Sequence, residues 1–99
     1  MKIIWTAEAK RSLRAIQRFI AEDSDFYADR VVARIIERVE AAARVPGRGH
    51  PVHEYPEAPL REVHEASYRI IYLAGEETLH VVTIVHFKQL LKAKRPGGL

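Results

Sequence analysis

Cysteine is absent from this chain of 99 residues, so no disulfide supports the fold and a cytosolic setting is the default expectation. Long apolar runs are also missing. The start, Met1 to Thr6, leads directly into charged sequence, which differs from a signal peptide, and no stretch approaches the length that crosses a bilayer. We therefore predict a cytoplasmic protein without a membrane segment.

Several patterns that accompany catalysis or cofactor binding are missing as well. The five glycines are scattered, so the chain has no glycine-rich phosphate loop. His50 and His53 lie close to Glu54, but a third or fourth ligand and the HExxH spacing are lacking. The sequence therefore predicts neither a metal nor a cofactor, and loop polarity accounts for these three side chains.

Acidic residues are missing after Glu77, whereas the last stretch contains Lys88, Lys92, Lys94 and Arg95. The formal charge of +3 permits an anionic partner without requiring one. Residues 88–99 therefore form either a solvated basic tail or a contact surface for something anionic. The chain length fits one domain, residues 1–99.

The first half of the chain has the periodicity of one strand and two helices. Met1 to Trp5 is apolar and β-branched, which is typical of a strand. Thr6 suits an N-cap, and the helix after it has an apolar stripe at spacings of three and four: Ala9, Leu13, Ile16 and Ile20. Asp23-Ser24-Asp25 interrupts the pattern and supplies a new N-cap, and a second helix with a wider stripe follows. So short a break predicts an antiparallel helical hairpin.

The second half combines a proline-rich loop with three strand-like runs. Four of the five prolines fall between Val45 and Leu60, which predicts an extended surface loop. The runs Leu60–Glu65, Tyr68–Leu73 and Leu79–Phe87 are separated by short breaks and predict an antiparallel meander. We therefore expect an α+β fold, with the hairpin on one face of a small antiparallel sheet and the other face partly open.

Arg61, Arg69 and His86 are the candidate chemical groups, because all three lie on the predicted meander. Two guanidiniums and an imidazole could hold a phosphodiester, stabilise its charge and transfer a proton. The alternative is structural: Arg69 pairs with Glu62 or Glu65 across the hairpin, and His86 is a polar residue at a strand end.

Three motifs in order carry a resemblance: Leu60-Arg61-Glu62, Tyr68-Arg69-Ile70-Ile71-Tyr72 and Val82-Thr83-Ile84-Val85-His86. After a strand, a helical hairpin and a proline-rich loop, this order resembles the RelE/ParE superfamily of bacterial toxins from type II toxin–antitoxin pairs. The similarity covers about Lys2 to Leu91. It implies the small RelE/ParE α+β fold, a cytoplasmic location and a role in plasmid stabilization.

The resemblance also implies partners. A cognate antitoxin, ParD-like or otherwise acidic-tailed, would form a hetero-oligomer by laying an amphipathic helix in an apolar groove and pairing an extended piece with the sheet. We expect the contact surface for macromolecular partners to include both apolar and cationic side chains: Leu13, Ile16, Arg61, Tyr68, Arg69, Tyr72, Lys88 and Lys92.

The superfamily has two activities. ParE-like members poison DNA gyrase, and RelE-like members cut mRNA in the ribosomal A site. Arg69 matches the arginine of the Tyr-Arg motif, and His86 stands where some of the nucleases keep a catalytic histidine. Arg61 is a third candidate for the nuclease reading. Phe87 stands where those enzymes carry tyrosine. This chain also lacks the lysines that those enzymes carry early in the meander. We therefore predict a ParE-like toxin that binds gyrase, with a ribosome-dependent mRNA endoribonuclease as the alternative.

Overall fold

Five strands and two helices make up the part of the chain that the structure, a computed structural model, describes, which is residues 1–88. The elements follow one another as β1 (Lys2–Trp5), α1 (Ala7–Ala21), α2 (Asp25–Arg44), a 3₁₀ turn (Pro46–Arg48), β2 (His50–Pro51), β3 (Arg61–Glu65), β4 (Tyr68–Ala74) and β5 (Thr78–His86). The α+β prediction is confirmed. Lys92 and the rest of the basic tail beyond Lys88 lie outside the described residues.

All five strands belong to one sheet in the order β1-β5-β4-β3-β2. The antiparallel meander of β3, β4 and β5 is confirmed. The sheet as a whole is mixed, because β1 lies parallel to β5, with Lys2 opposite Thr78. The connection between these two strands contains the helical hairpin and the other three strands, so it exceeds the length that a parallel pair requires. Residues 50 and 51 of the predicted loop add a short strand at the other edge.

Capping side chains begin both helices as the sequence predicts. The Thr6 hydroxyl accepts the Ala9 N–H at 3.1 Å, and the Ser24 hydroxyl accepts the Tyr27 N–H at 3.1 Å. Thr6 also donates to the Val82 carbonyl at 2.9 Å, which holds the start of α1 against β5. The caps therefore fix where the helical hairpin begins and how it meets the sheet.

The main core lies between the hairpin and one face of the sheet. Buried α2 residues such as Ile35 and Val39 pack there against Ile70, Tyr72 and Val81 of the sheet. The β4–β5 register skips Val82 between the pairs Ile71–Thr83 and Tyr72–Val81, which marks a β-bulge. Within the described residues, no helix is both long and apolar enough to cross a membrane.

A loop covers much of the opposite face of the sheet, named the covered face, but His64 on this face keeps a side chain that is 39% exposed, so the face is partly open as expected. The proline segment, residues 45–60, folds back over the sheet instead of extending into solvent. Its Val52 and Leu60 are 0% and 2% exposed and pack on Ile71 and Val82 in a second apolar cluster. The apolar residues on this face of the sheet must pack against another element, and the few apolar residues of the proline segment serve in place of a further helix or sheet.

Candidate functional site

Arg69 lies at the centre of an ion network on the covered face. Its side chain is only 3% exposed. The guanidinium donates to Glu62 through Nε at 3.0 Å and Nη2 at 2.6 Å, and to Glu54 through Nη1 at 2.8 Å and Nη2 at 2.7 Å. Glu62 comes from the neighbouring strand, and Glu54 comes from the proline segment. Both carboxylates therefore bind Arg69 in the bidentate geometry that makes such pairs strong.

Histidines extend this network at both ends. His64 Nε2 lies 2.6 Å from Glu62 Oε1, and His53 Nδ1 lies 3.3 Å from Glu54 Oε1. The hydrogen bonds with Glu54 and then Glu62 raise the pKa of Arg69, so the guanidinium stays charged. Burial would raise the pKa of Glu62, but its bonds to Arg69 and His64 outweigh burial and lower it. Two carboxylates thus pair with one buried cation.

The pairing of Arg69 with Glu62 confirms the structural alternative drawn from the sequence. Glu65 does not take part, because its carboxylate lies 3.4 Å from Arg38 of α2. The second carboxylate, Glu54, was not foreseen as a partner of Arg69. It sits among prolines with no periodic pattern, and only the folding back of the proline segment brings it to the sheet.

His86 lies on the other face of the sheet from Arg69. It is paired across the strands with Tyr68, and the two rings meet edge to face with centroids 5.8 Å apart. Tyr68 packs against the core on the helix side, where burial and the nearby Tyr27 raise its pKa. The Lys88 N–H donates to His86 Nδ1 at 3.1 Å, which assigns the proton of a neutral ring to Nε2.

Arg61 has a structural role at the far end of β3. Its Nη1 donates to the Gly49 carbonyl at 2.6 Å, and Tyr72, its cross-strand partner, donates its hydroxyl to the Pro46 carbonyl at 2.5 Å. Burial raises the pKa of Tyr72 despite hydrogen bonding with Gly49 and the nearby charge of Arg61. Together the two side chains hold the start of the proline segment.

A sheet can bring together residues that are far apart in sequence, but this sheet keeps Arg61, Arg69 and His86 apart. Arg69 points to the covered face, whereas His86 follows the helix-side alternation of Tyr68. Arg61 lies opposite Tyr72, four residues from Tyr68 along β4, or roughly 13 Å. Alternation alone does not predict this separation, because the register between β3 and β5 depends on two hairpins.

The other predicted contact residues differ in how much surface they offer. Leu13 and Ile16 are half-buried and pack against the main core, so each leaves an edge in solvent. Tyr72 is 1% exposed, and its prediction as a contact residue is wrong because the main core encloses its ring. Lys88 is exposed, and Tyr68 is half-buried.

Exposed aromatic side chains form apolar surface that the sequence argument missed. Phe19, Phe26 and Tyr27 surround the turn between the helices and are 70%, 62% and 53% exposed. Phe87 is 57% exposed at the end of β5, and its ring contacts His64 with centroids 4.9 Å apart. The sequence could have indicated that Phe19 is exposed, because this residue lies off the apolar stripe of α1.

Among residues 1–88, no three histidine, aspartate or glutamate side chains are placed to hold a metal ion.

The fold is shared with two toxin–antitoxin structures. A chain of the "Chromosomal ParDE TA system from P. aeruginosa" aligns with a TM-score of 0.71 at 20% identity, over 89% of this chain and 97% of that chain. A chain of the RelBE2 toxin–antitoxin complex from Mycobacterium tuberculosis aligns with a TM-score of 0.65 at 21% identity, over 86% and 95%. These likenesses define the class by its fold, that of the ParE and RelE toxins.

Sequence comparison gives the family itself. The family described as "ParE toxin of type II toxin-antitoxin system, parDE" matches residues 3–91. Toxin RelE2 of Caulobacter vibrioides is 31% identical over 90 residues, which are 90% of this chain and 98% of that protein. The chain therefore belongs to the ParE toxin family of type II toxin–antitoxin systems, as its motifs predicted.

Proposed function

We propose that this toxin inhibits growth by binding DNA gyrase and does not cleave mRNA. The observation that carries the proposal is the state of Arg69, which is buried and neutralised by Glu54 and Glu62. A nuclease of the related type needs this arginine free to stabilise the charge that develops on phosphate. Family membership supports the ParE-like choice of target.

The remaining nuclease candidates support the same conclusion. His86 lies on the opposite face from Arg69, and Phe87 has no hydroxyl to transfer a proton. Loss of one general acid or base commonly lowers a rate by about 10²–10⁴. A site that lacks two such groups and whose cation is already paired is a poor catalyst of cleavage.

The surface for gyrase is the end of the sheet around Phe87. Its exposed ring lies against His64, and exposed Lys88 follows it in the chain. Aromatic residues, including phenylalanine, are enriched at protein interfaces, so the exposed Phe87 ring is a suitable anchor for a partner. The proposal thus assigns target binding to a surface that is separate from the buried network.

A cognate antitoxin is the second partner, in line with the toxin–antitoxin systems named by both structural neighbours. The half-buried edges of Leu13 and Ile16 continue into exposed Phe19, and Phe26 lies across the turn. This apolar strip suits one face of an amphipathic helix. The resulting complex is a hetero-oligomer in the cytoplasm.

The test is a supercoiling assay with purified gyrase and toxin. Wild-type toxin is expected to inhibit supercoiling, and added antitoxin is expected to restore it. Phe87→Ala should weaken inhibition at least about tenfold, as expected for a hot-spot side chain, with antitoxin binding unchanged. Phe26→Ala, an equal truncation of an exposed ring, is the matched control and should weaken antitoxin binding alone.

Two outcomes would contradict the proposal. One is normal supercoiling at saturating toxin. The other is codon-positioned cleavage of translated mRNA, measured by primer extension, that His86→Ala abolishes.

A further inference from the structure

Four cations form one exposed stripe along α1. At 100° per residue they fall within an arc of about 100°, opposite the apolar stripe that packs on the core, and a rise of 1.5 Å per residue spreads them over about 12 Å. Each is solvent-exposed, and the set is Lys10, Arg11, Arg14 and Arg18. No acid falls within this arc, because Glu8, the one acid of α1, and the C-cap Glu22 both lie outside it.

The stripe has no internal charge balance. Within residues 1–88, none of its members forms an ion pair, whereas Arg38 of α2 pairs with Glu65. Arg14 also has like-charged neighbours four residues before and after it, Lys10 and Arg18, and such pairs destabilise a helix. An anionic ligand along the stripe would relieve that repulsion.

The surroundings of the stripe decide which anion fits. The arc holds only Ala7 and Ala21 beside the cations, so a protein partner would find no large apolar anchor there. Phe19 lies about 100° away from Arg18 around the helix, so unstacked bases of a single strand would find no ring within the stripe. Arginine forks bind phosphate oxygens in pairs, and a straight row of them follows a phosphate backbone.

We propose that the α1 stripe binds the phosphate backbone of duplex DNA without regard to sequence. Its four cations would displace counterions from about four phosphates, and binding would depend steeply on salt. This surface lies apart from Phe87, and DNA binding by it does not require gyrase. The outcome of a DNA-binding test is therefore independent of the proposed function.

The test is fluorescence anisotropy of the full chain titrated into a short labelled duplex of mixed sequence. Four phosphate contacts predict an affinity that falls about 150-fold between 50 and 200 mM salt. Replacing Arg11, Arg14 and Arg18 with Gln leaves one contact, so the same change in salt should lower affinity only about 3.5-fold. Replacing all three with Lys should retain most of the salt dependence.

The matched control replaces three exposed arginines outside the stripe, Arg34, Arg44 and Arg48, with Gln and removes the same net charge. It should keep the wild-type salt dependence, with circular dichroism confirming that every variant is folded. Equal loss in control and stripe variants would overturn the proposal, since net charge alone would then explain binding. Undetectable binding at 50 mM salt, or tighter stripe-dependent binding to single-stranded RNA of equal length, would overturn it as well.

Discussion

Replacing Arg69 with Met tests whether the ion network fastens the proline segment to the sheet. The substitution leaves the carboxylates of Glu54 and Glu62, 12% and 7% exposed, without their cation. Removing one partner from a buried ion pair typically costs about 3–5 kcal/mol of unfolding free energy. Glu54→Gln should cost less, about 1–3 kcal/mol, because Arg69 keeps Glu62 and loses one charged hydrogen-bond partner.

The most informative stability measurement is that of a triple variant, which combines Arg69→Met with Glu54→Gln and Glu62→Gln. It should be more stable than Arg69→Met alone, because no buried charge is left unpaired. Urea unfolding followed by the fluorescence of Trp5, the one tryptophan of the chain, measures all of these free energies.

Two further measurements complete this design. Glu54→Gln should speed amide exchange in residues 52–58, which the ion pair holds down. Arg38→Met breaks only the half-exposed pair with Glu65 and, after allowance for solvent screening, should cost at most about 1 kcal/mol. The network does not hold the segment if Arg69→Met loses no more unfolding free energy than Arg38→Met. The same conclusion follows if the triple variant is no more stable than Arg69→Met.

Three other predictions follow from single positions. The lowered pKa of Glu62 means that its charged form is preferred in the folded state, so it stabilises the fold above about pH 4.5 and this contribution is lost as pH falls through the folded pKa. Unfolding of Glu62→Gln should therefore vary less with pH in that acidic range, and equal slopes would contradict the assignment. A Cβ at Gly49 would lie 2.2 Å from the Tyr72 hydroxyl, so Gly49→Ala should cost about 1–3 kcal/mol, while Gly47→Ala, with open space around it, should change thermal stability little. Ala66 has a φ of 52°, so Ala66→Gly should raise stability by about 0.5–1 kcal/mol, and a lower melting temperature would refute strain at this turn.

Local signals in the sequence predict most of the elements. Thr6 and Ser24 cap the helices as expected because a cap depends on residues three positions away. The meander and the Arg69–Glu62 pair follow from alternation across a single tight hairpin. The motifs also identify the family, which the comparisons confirm.

Long-range features escape the same reasoning. Val52 and Leu60 are isolated apolar residues in a polar, proline-rich stretch, so no periodicity indicates that they cover the sheet. Glu54 meets Arg69 only after that covering has formed. The parallel placement of β1 likewise depends on where the helical hairpin returns the chain. The covered face and the separation of the candidate catalytic groups therefore required three-dimensional information.

The position of β1 affects how the protein folds while it is being synthesised. Its sheet partner is β5, and Lys2 lies opposite Thr78, 76 positions later. A nascent chain cannot complete this sheet until β5 has left the ribosome, because the contact between β1 and β5 is highly non-local. Growing chains that stop before Thr78 would leave β1 without its partner strand, so β1 can join the sheet only after β5 has been made.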